Sequence, residues 1–202
     1  MAVTGVLLAA IASITISLLG VSRTATVKTS TTADARIAME AMTRSLRVAV
    51  VPKGEAAAIT VSEPAKVEFY SSLDRTAGQT AERPTRVTYS YLSPCVNETQ
   101  VVATINPDAA KVAAQPHVWA GTGTTRCLIR TRSAPTFTYF TSGTILQSDG
   151  SAVPAVLPTT SAARAAIVSV EIALDVQDPT LTGVRGVVAR DRVTLMNIRT
   201  TT

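Results

Sequence analysis

Residues 32–52 read TADARIAMEAMTRSLRVAVVP. With successive residues placed about 100° apart, Ala35, Ala38, Met39, Met42, Leu46, Ala49 and Val50 fall within one arc of about 120°. Arg36, Glu40 and Arg44 stand at i, i+4 spacing on the other side, with Arg47 close by, and this spacing allows a small ion-pair ladder. Ile37 is the one apolar residue off the stripe. Pro52, with Gly54 just behind it, stops the pattern. The stretch is an amphipathic helix whose small-residue stripe is expected to pack on its own domain.

Upstream of it, MAVTGVLLAAIASITISLLGVS (1–22) carries no charge. A spanning helix needs about 20 apolar residues. Thr4, Ser13, Thr15 and Ser17 interrupt the run, but a hydroxyl in a helix bonds back to its own backbone. A cleaved signal peptide wants a basic start and a small-residue cleavage site followed by a loop. Here no Lys or Arg precedes the run, and the residues behind it are helical in pattern. The run is therefore read as a retained membrane helix. The only glycines before Pro52 are Gly5 and Gly20, so one helix is expected from the start to about Val50, roughly 75 Å long. This divides the chain into a transmembrane or filament-core helix (1–22), an amphipathic extension (23–52) and a head (53–202).

The head changes period from about 3.6 to 2. AAITVSE (57–63) and KVEFYSS (66–72) read as strands around Pro64. TRVTYSYL (85–92) is β-branched and aromatic. RCLIRTR (126–132) and TFTYFTSG (136–143) read as a pair around Pro135. AIVSVEIALDVQ (166–177) places Val168, Val170, Ile172, Leu174 and Val176 on one side, and RGVVARDRVTLMNIR (185–199) joins it through the turn DPTLTG (178–183). Residues 73–84 and 142–165 read as loops, and 105–125 as a long loop or one short helical turn. The expected fold class is α+β: a long N-terminal helix packed on an antiparallel β-sheet head.

The net charge of +5 is unevenly placed. Residues 1–54 hold six basic and two acidic groups, and the rest thirteen and twelve. The head therefore lacks the broad basic face of a nucleic-acid binder. Arg126, Arg130 and Arg132 alternate along one expected strand and are the candidate phosphate contacts, against the commoner reading of a solvated sheet edge. Cys95 and Cys127 are the only cysteines. An even count in an exported domain suggests one disulfide, stapling strand ends and closing a loop of about 32 residues. Arg23 and Lys28 behind the apolar run point to the cytoplasm by the positive-inside rule, against the cysteines.

Catalytic patterns fail one by one. His117, the single histidine, has no Cys or His at ligand spacing. GTGTT (121–125) lacks a phosphate-loop lysine. No G-x-S-x-G elbow occurs, and no carboxylates form an evident pair. NET (97–99) matches a glycan acceptor, a pattern common by chance. Nothing calls for an enzyme, a metal or a cofactor.

An apolar N-terminal helix, an unbroken amphipathic extension and a β-rich head together resemble a type IV pilin-like protein. ARIAMEAMTRSLRVAV (35–50) looks like the extension in minor pilins and minor pseudopilins of the PilW/PulJ type, and IVSVEIALDVQD with RVTLMNIR looks like that family's closing strands. The resemblance covers about half the chain, at its two ends. It departs from the family in lacking the basic leader, the Gly and the T-L-x-E that follow it, so Met1 is expected to be an internal methionine of a longer chain. The resemblance implies a low-copy subunit of a type IV pilus or type II secretion-like filament, in a tip or priming complex. Its partners would be other minor and major pilin-like subunits, an inner-membrane assembly platform and, before assembly, membrane lipid. It implies a single-pass membrane protein with its head outside the cytoplasm and a methylated, processed N-terminus. Ala38, Met42 and Leu46 would then meet the sheet, and Arg36, Glu40 and Arg44 would face outward or toward neighbouring subunits. Two alternatives stay open: a membrane-anchored extracellular binding module that uses the loops 105–125 and 142–165, and a DNA-uptake (competence) component using Arg126, Arg130 and Arg132.

Overall fold

The computed structural model describes residues 2–74, 83–108, 110–112, 114–119, 121, 123–141, 157–177 and 186–196, with the side chains of 2–11, 23, 24 and 74 left aside. Helix α1 spans Ala2–Arg47, 46 residues without a break. Its hydroxyls turn onto the helix itself: Thr26 Oγ1 donates to the Ser22 carbonyl at 3.0 Å, and Thr32 Oγ1 to the Lys28 carbonyl at 2.7 Å. Ala35, Ala38, Met39, Met42 and Leu46 are buried, whereas Ile37 is exposed. The helix ends by joining the sheet. Ser71 Oγ donates to the Ser45 carbonyl at 3.2 Å, the Ser72 amide to the Val48 carbonyl, and the Val50 amide to the Tyr70 carbonyl. The last helical carbonyls are thus satisfied where the chain enters the head.

Strands β1 (Ile59–Ser62), β2 (Val67–Asp74), β3 (Arg83–Leu92), β4 (Cys95–Val102) and β7 (Thr124–Arg130) form an antiparallel sheet in the order β1-β2-β3-β4-β7. Strands β8 (Thr136–Thr141), β9 (Ile167–Val176) and β10 (Val187–Thr194) form a second, ordered β10-β9-β8. The short β5 (Thr104–Ile105) and β6 (His117–Val118) pair with each other. The inner faces of the two large sheets and the stripe of α1 share one core, with Phe69, Tyr89, Met42, Leu46, Tyr139, Ile172 and Leu174 fully buried in it. The sheets are also stitched by polar groups: Thr131 Oγ1 donates to the Asp175 carbonyl at 2.8 Å, and Tyr139 Oη to the Glu63 carbonyl at 2.9 Å.

Two expectations are corrected. The α+β class, with a sheet head beneath a half-transmembrane helix, gives way to a mostly antiparallel β-sheet protein with, among the described residues, three sheets and one long N-terminal helix. Strand content exceeds the expectation because CVNETQVV forms β4. Four successive polar residues, Asn97 to Gln100, hide the alternation there, although Val96 and Glu98 both face the core. The single-pass membrane location is overturned as well: among the described residues no helix is long and apolar enough to cross a membrane. Beyond Val21 the helix surface turns hydroxyl-rich and then charged, with exposed Lys28, Asp34 and Arg36.

Smaller differences come from strand pairing. Strands β7 and β8 do not pair around Pro135; residues 131–135 carry the chain from one sheet to the other, and β7 pairs with β4. Within 142–165, residues 161–165 form the short helix α2 (Ser161–Ala165), capped by Thr160 Oγ1 accepting from the Ala163 amide; residues 142–156 lie outside the described residues. The turn 178–183 lies outside them too. Gly54 has φ +90°, and its Cα sits so close to the Ala114 carbonyl that any Cβ would clash.

Candidate functional site

Helix α1 changes character at one point. From Ala12 to Asp34 no described side chain is buried, and from Ala35 onward the stripe is covered. In the uncovered part Ile14, Ile16, Leu18, Leu19 and Val21 are 60–70% exposed. At about 100° per residue these five spread over an arc of about 220°, the remaining sector of about 140° holding Ser13, Ser17 and Gly20, and so wide an apolar surface is more than one partner helix covers. Residues 2–34 account for about 50 Å of helix beyond the packed part.

The charged residues of α1 do not act as one row. Arg36, Glu40 and Arg44 are exposed, and among the described residues no ion pair joins them. Arg36, Glu40 and Arg47 line a groove of about 570 Å³ between α1 and β10, opposite Val188, Arg190 and Asp191. Arg44 instead lines a separate cleft of about 500 Å³ with Lys53 and His117. Ala38, Met42 and Leu46 are all buried in the common core.

The arginines of β7 are separated by a bulge. Arg126 pairs across the ladder with Glu98, and Arg130 with Cys95, the register slipping between Val96 and Asn97. Residues 95 and 98 are three apart on one strand, so they face opposite ways and carry Arg126 and Arg130 to opposite faces. Arg126 Nη2 lies 3.1 Å from Glu98 Oε2. Arg130 and Arg132 are exposed. On the face of Arg130, Cys95 and Cys127 form a disulfide, with 5.5 Å between their Cα atoms.

Glu98 is the group that sequence reading misses. Its side chain is fully buried, accepts from Tyr89 Oη at 3.3 Å, and is bonded by Gln100 as well as by Arg126. Its position two residues after Val96 would have marked it as inward-facing had β4 been recognised. On the other face Trp119 stacks on Tyr70 with ring centroids 4.6 Å apart, Arg86 lies over the indole, and the indole Nε1 donates to Glu55 at 3.4 Å. Burial, with Glu55 adding to it, pushes the Tyr70 phenol above its ordinary range. Among the described residues no cluster of His, Cys, Asp or Glu is placed to hold a metal ion. No protein-family model and no curated protein sequence matches the chain.

Proposed function

We propose that this chain is a structural subunit of a pilin- or pseudopilin-type filament, acting in a small tip or priming complex with other pilin-like subunits. The observation that carries the reading is the division of α1 at Asp34/Ala35. One part is locked into the head, and the other, from Ala12 to Val21, presents exposed apolar side chains over an arc of about 220°. A single partner helix would cover only one stripe; an apolar arc this wide calls for more than one neighbour, as in a filament core. The polymer would be driven by an inner-membrane assembly platform and an ATPase on other chains, leaving this chain no catalytic step. The resemblance at 35–50, 167–178 and 192–199 adds support. A nucleic-acid reading gains no such support, because Arg126 is engaged by buried Glu98 and the bulge divides it from Arg130.

The test is cross-linking in the native host with Leu19→Cys. Adducts with pilin-like subunits, absent from the wild-type chain and from an Arg132→Cys control on the head, are expected. Absence of any such adduct at Leu19 would overturn the reading.

A further inference from the structure

At the base of α1 the chain turns from helix to head around a cleft of about 500 Å³. Arg44 enters it from the last turns of the helix, Lys53 from the segment behind Pro52, and His117 from β6. Its walls include Val48, Val51 and Leu73. This size and this mixture of apolar wall with a few polar groups match small-molecule sites, which run to roughly 300–1,000 Å³. Among the described residues no carboxylate lines it. Two exposed cations and an imidazole line one concavity from three chain segments, an arrangement that favours a bound anion. The negative end of the α1 dipole works the other way. That end is blunted here, because Ser71 Oγ and the Ser72 and Val50 backbones already engage the carbonyls and strand around it.

We propose that this cleft binds a small organic anion: an apolar body against Val48, Val51 and Leu73, with a phosphate or carboxylate held by Arg44, Lys53 and His117. A guanidinium and an ammonium together suit an oxyanion, the first through paired N–H donors and the second as a mobile point charge. Neither Arg44 nor Lys53 is buried, so both can be replaced without opening the core. The site is separate from the assembly surface: no described residue of the uncovered part of α1 lines it.

His117 is the only histidine in the chain, so its imidazole protons give an isolated NMR signal. The full chain would be titrated separately with phenyl phosphate, benzoate and inorganic phosphate. Saturable shifts of the His117 ring and of the Val51 and Ser72 amides are expected with phenyl phosphate or benzoate, whichever headgroup the cleft prefers. Inorganic phosphate should bind more weakly than phenyl phosphate because it leaves the apolar wall uncovered. The Arg44→Gln/Lys53→Gln variant should bind about tenfold more weakly or worse, whereas Arg190→Gln, outside the cleft, should leave binding unchanged. No saturable shift with either organic anion, or equal affinity in the double variant, would overturn the proposal.

Discussion

Arg126, more than half exposed on the edge strand β7, reaches inward to Glu98, whose carboxylate has no solvent exposure at all. The pair joins the sheet rim to the core beneath α1, since Tyr89, the other partner of Glu98, packs in the cluster that holds Met42 and Leu46. Removing one member of such a pair leaves the other charge stranded, whereas neutralising both need cost little. Arg126→Ala is expected to lower stability by about 1–2 kcal/mol, below the roughly 3–5 kcal/mol of a fully buried pair because water screens the guanidinium. Adding Glu98→Gln should restore most of that, since the amide keeps an acceptor for Tyr89 and carries no charge. A double-mutant cycle by urea unfolding measures the coupling; additive losses would contradict the account.

Alkali should unfold the protein through three tyrosines. Burial is the main cause that holds the Tyr70, Tyr89 and Tyr139 phenols above their ordinary range. A raised folded-state value means the neutral phenol is favoured inside. The stabilisation is complete below the unfolded value of about 10 and is lost as pH climbs through the folded values. Tyrosinate absorbance and circular dichroism followed against pH should show most of the phenolate signal rising together with loss of β structure. Full ionisation near the ordinary value, with the sheets intact, would refute this.

The helix stripe is stabilised by burial against the two sheets. Met42 and Leu46 have no exposed surface, while Ile37 on the same helix is 66% exposed. Met42→Ala or Leu46→Ala should each cost about 2–5 kcal/mol, and Ile37→Ala about 0.5 kcal/mol or less, in chemical denaturation. Equal losses at positions 37 and 42 would mean that the buried face is assigned wrongly.

The Cys95–Cys127 bond closes a separation of 32 residues across neighbouring strands. On the chain-entropy argument its removal costs about 3–4 kcal/mol. The Cys95→Ser/Cys127→Ser variant should unfold at correspondingly lower urea while the wild type under reductant moves to the same midpoint. A wild type indifferent to reductant would contradict this.

What the sequence reveals here depends on how local the cause is. The stripe at 35–50 is legible because helical spacing needs no knowledge of the partner. In β9, alternation from Val170 to Val176 is equally plain, yet at its start Ile167 is buried and Val168 only half so, where the register with β8 slips between Phe140 and Thr141. Such slips belong to two strands at once, so neither sequence alone announces them. The same reason hides the bulge that parts Arg126 from Arg130. β4 is obscured by inward-facing Glu98, a charge whose burial makes sense only with Tyr89 and Arg126 in view. Length and apolarity of residues 1–22 suggest a spanning helix, but they are read without the exposed hydroxyl-rich and charged surface that continues the same helix. The two clefts flanking α1 are made by segments far apart in the chain, and no local pattern signals them.

The central claim is that the uncovered part of α1 exists to be surrounded by other helices. The direct measurement is the sedimentation of the full chain beside its Ile16→Asp/Leu19→Asp variant, with head stability monitored in both. The account predicts assemblies of several chains for the wild type and monomers for the variant, with the same unfolding midpoint. A monomeric wild type, or a variant that assembles as well as the wild type, would contradict it.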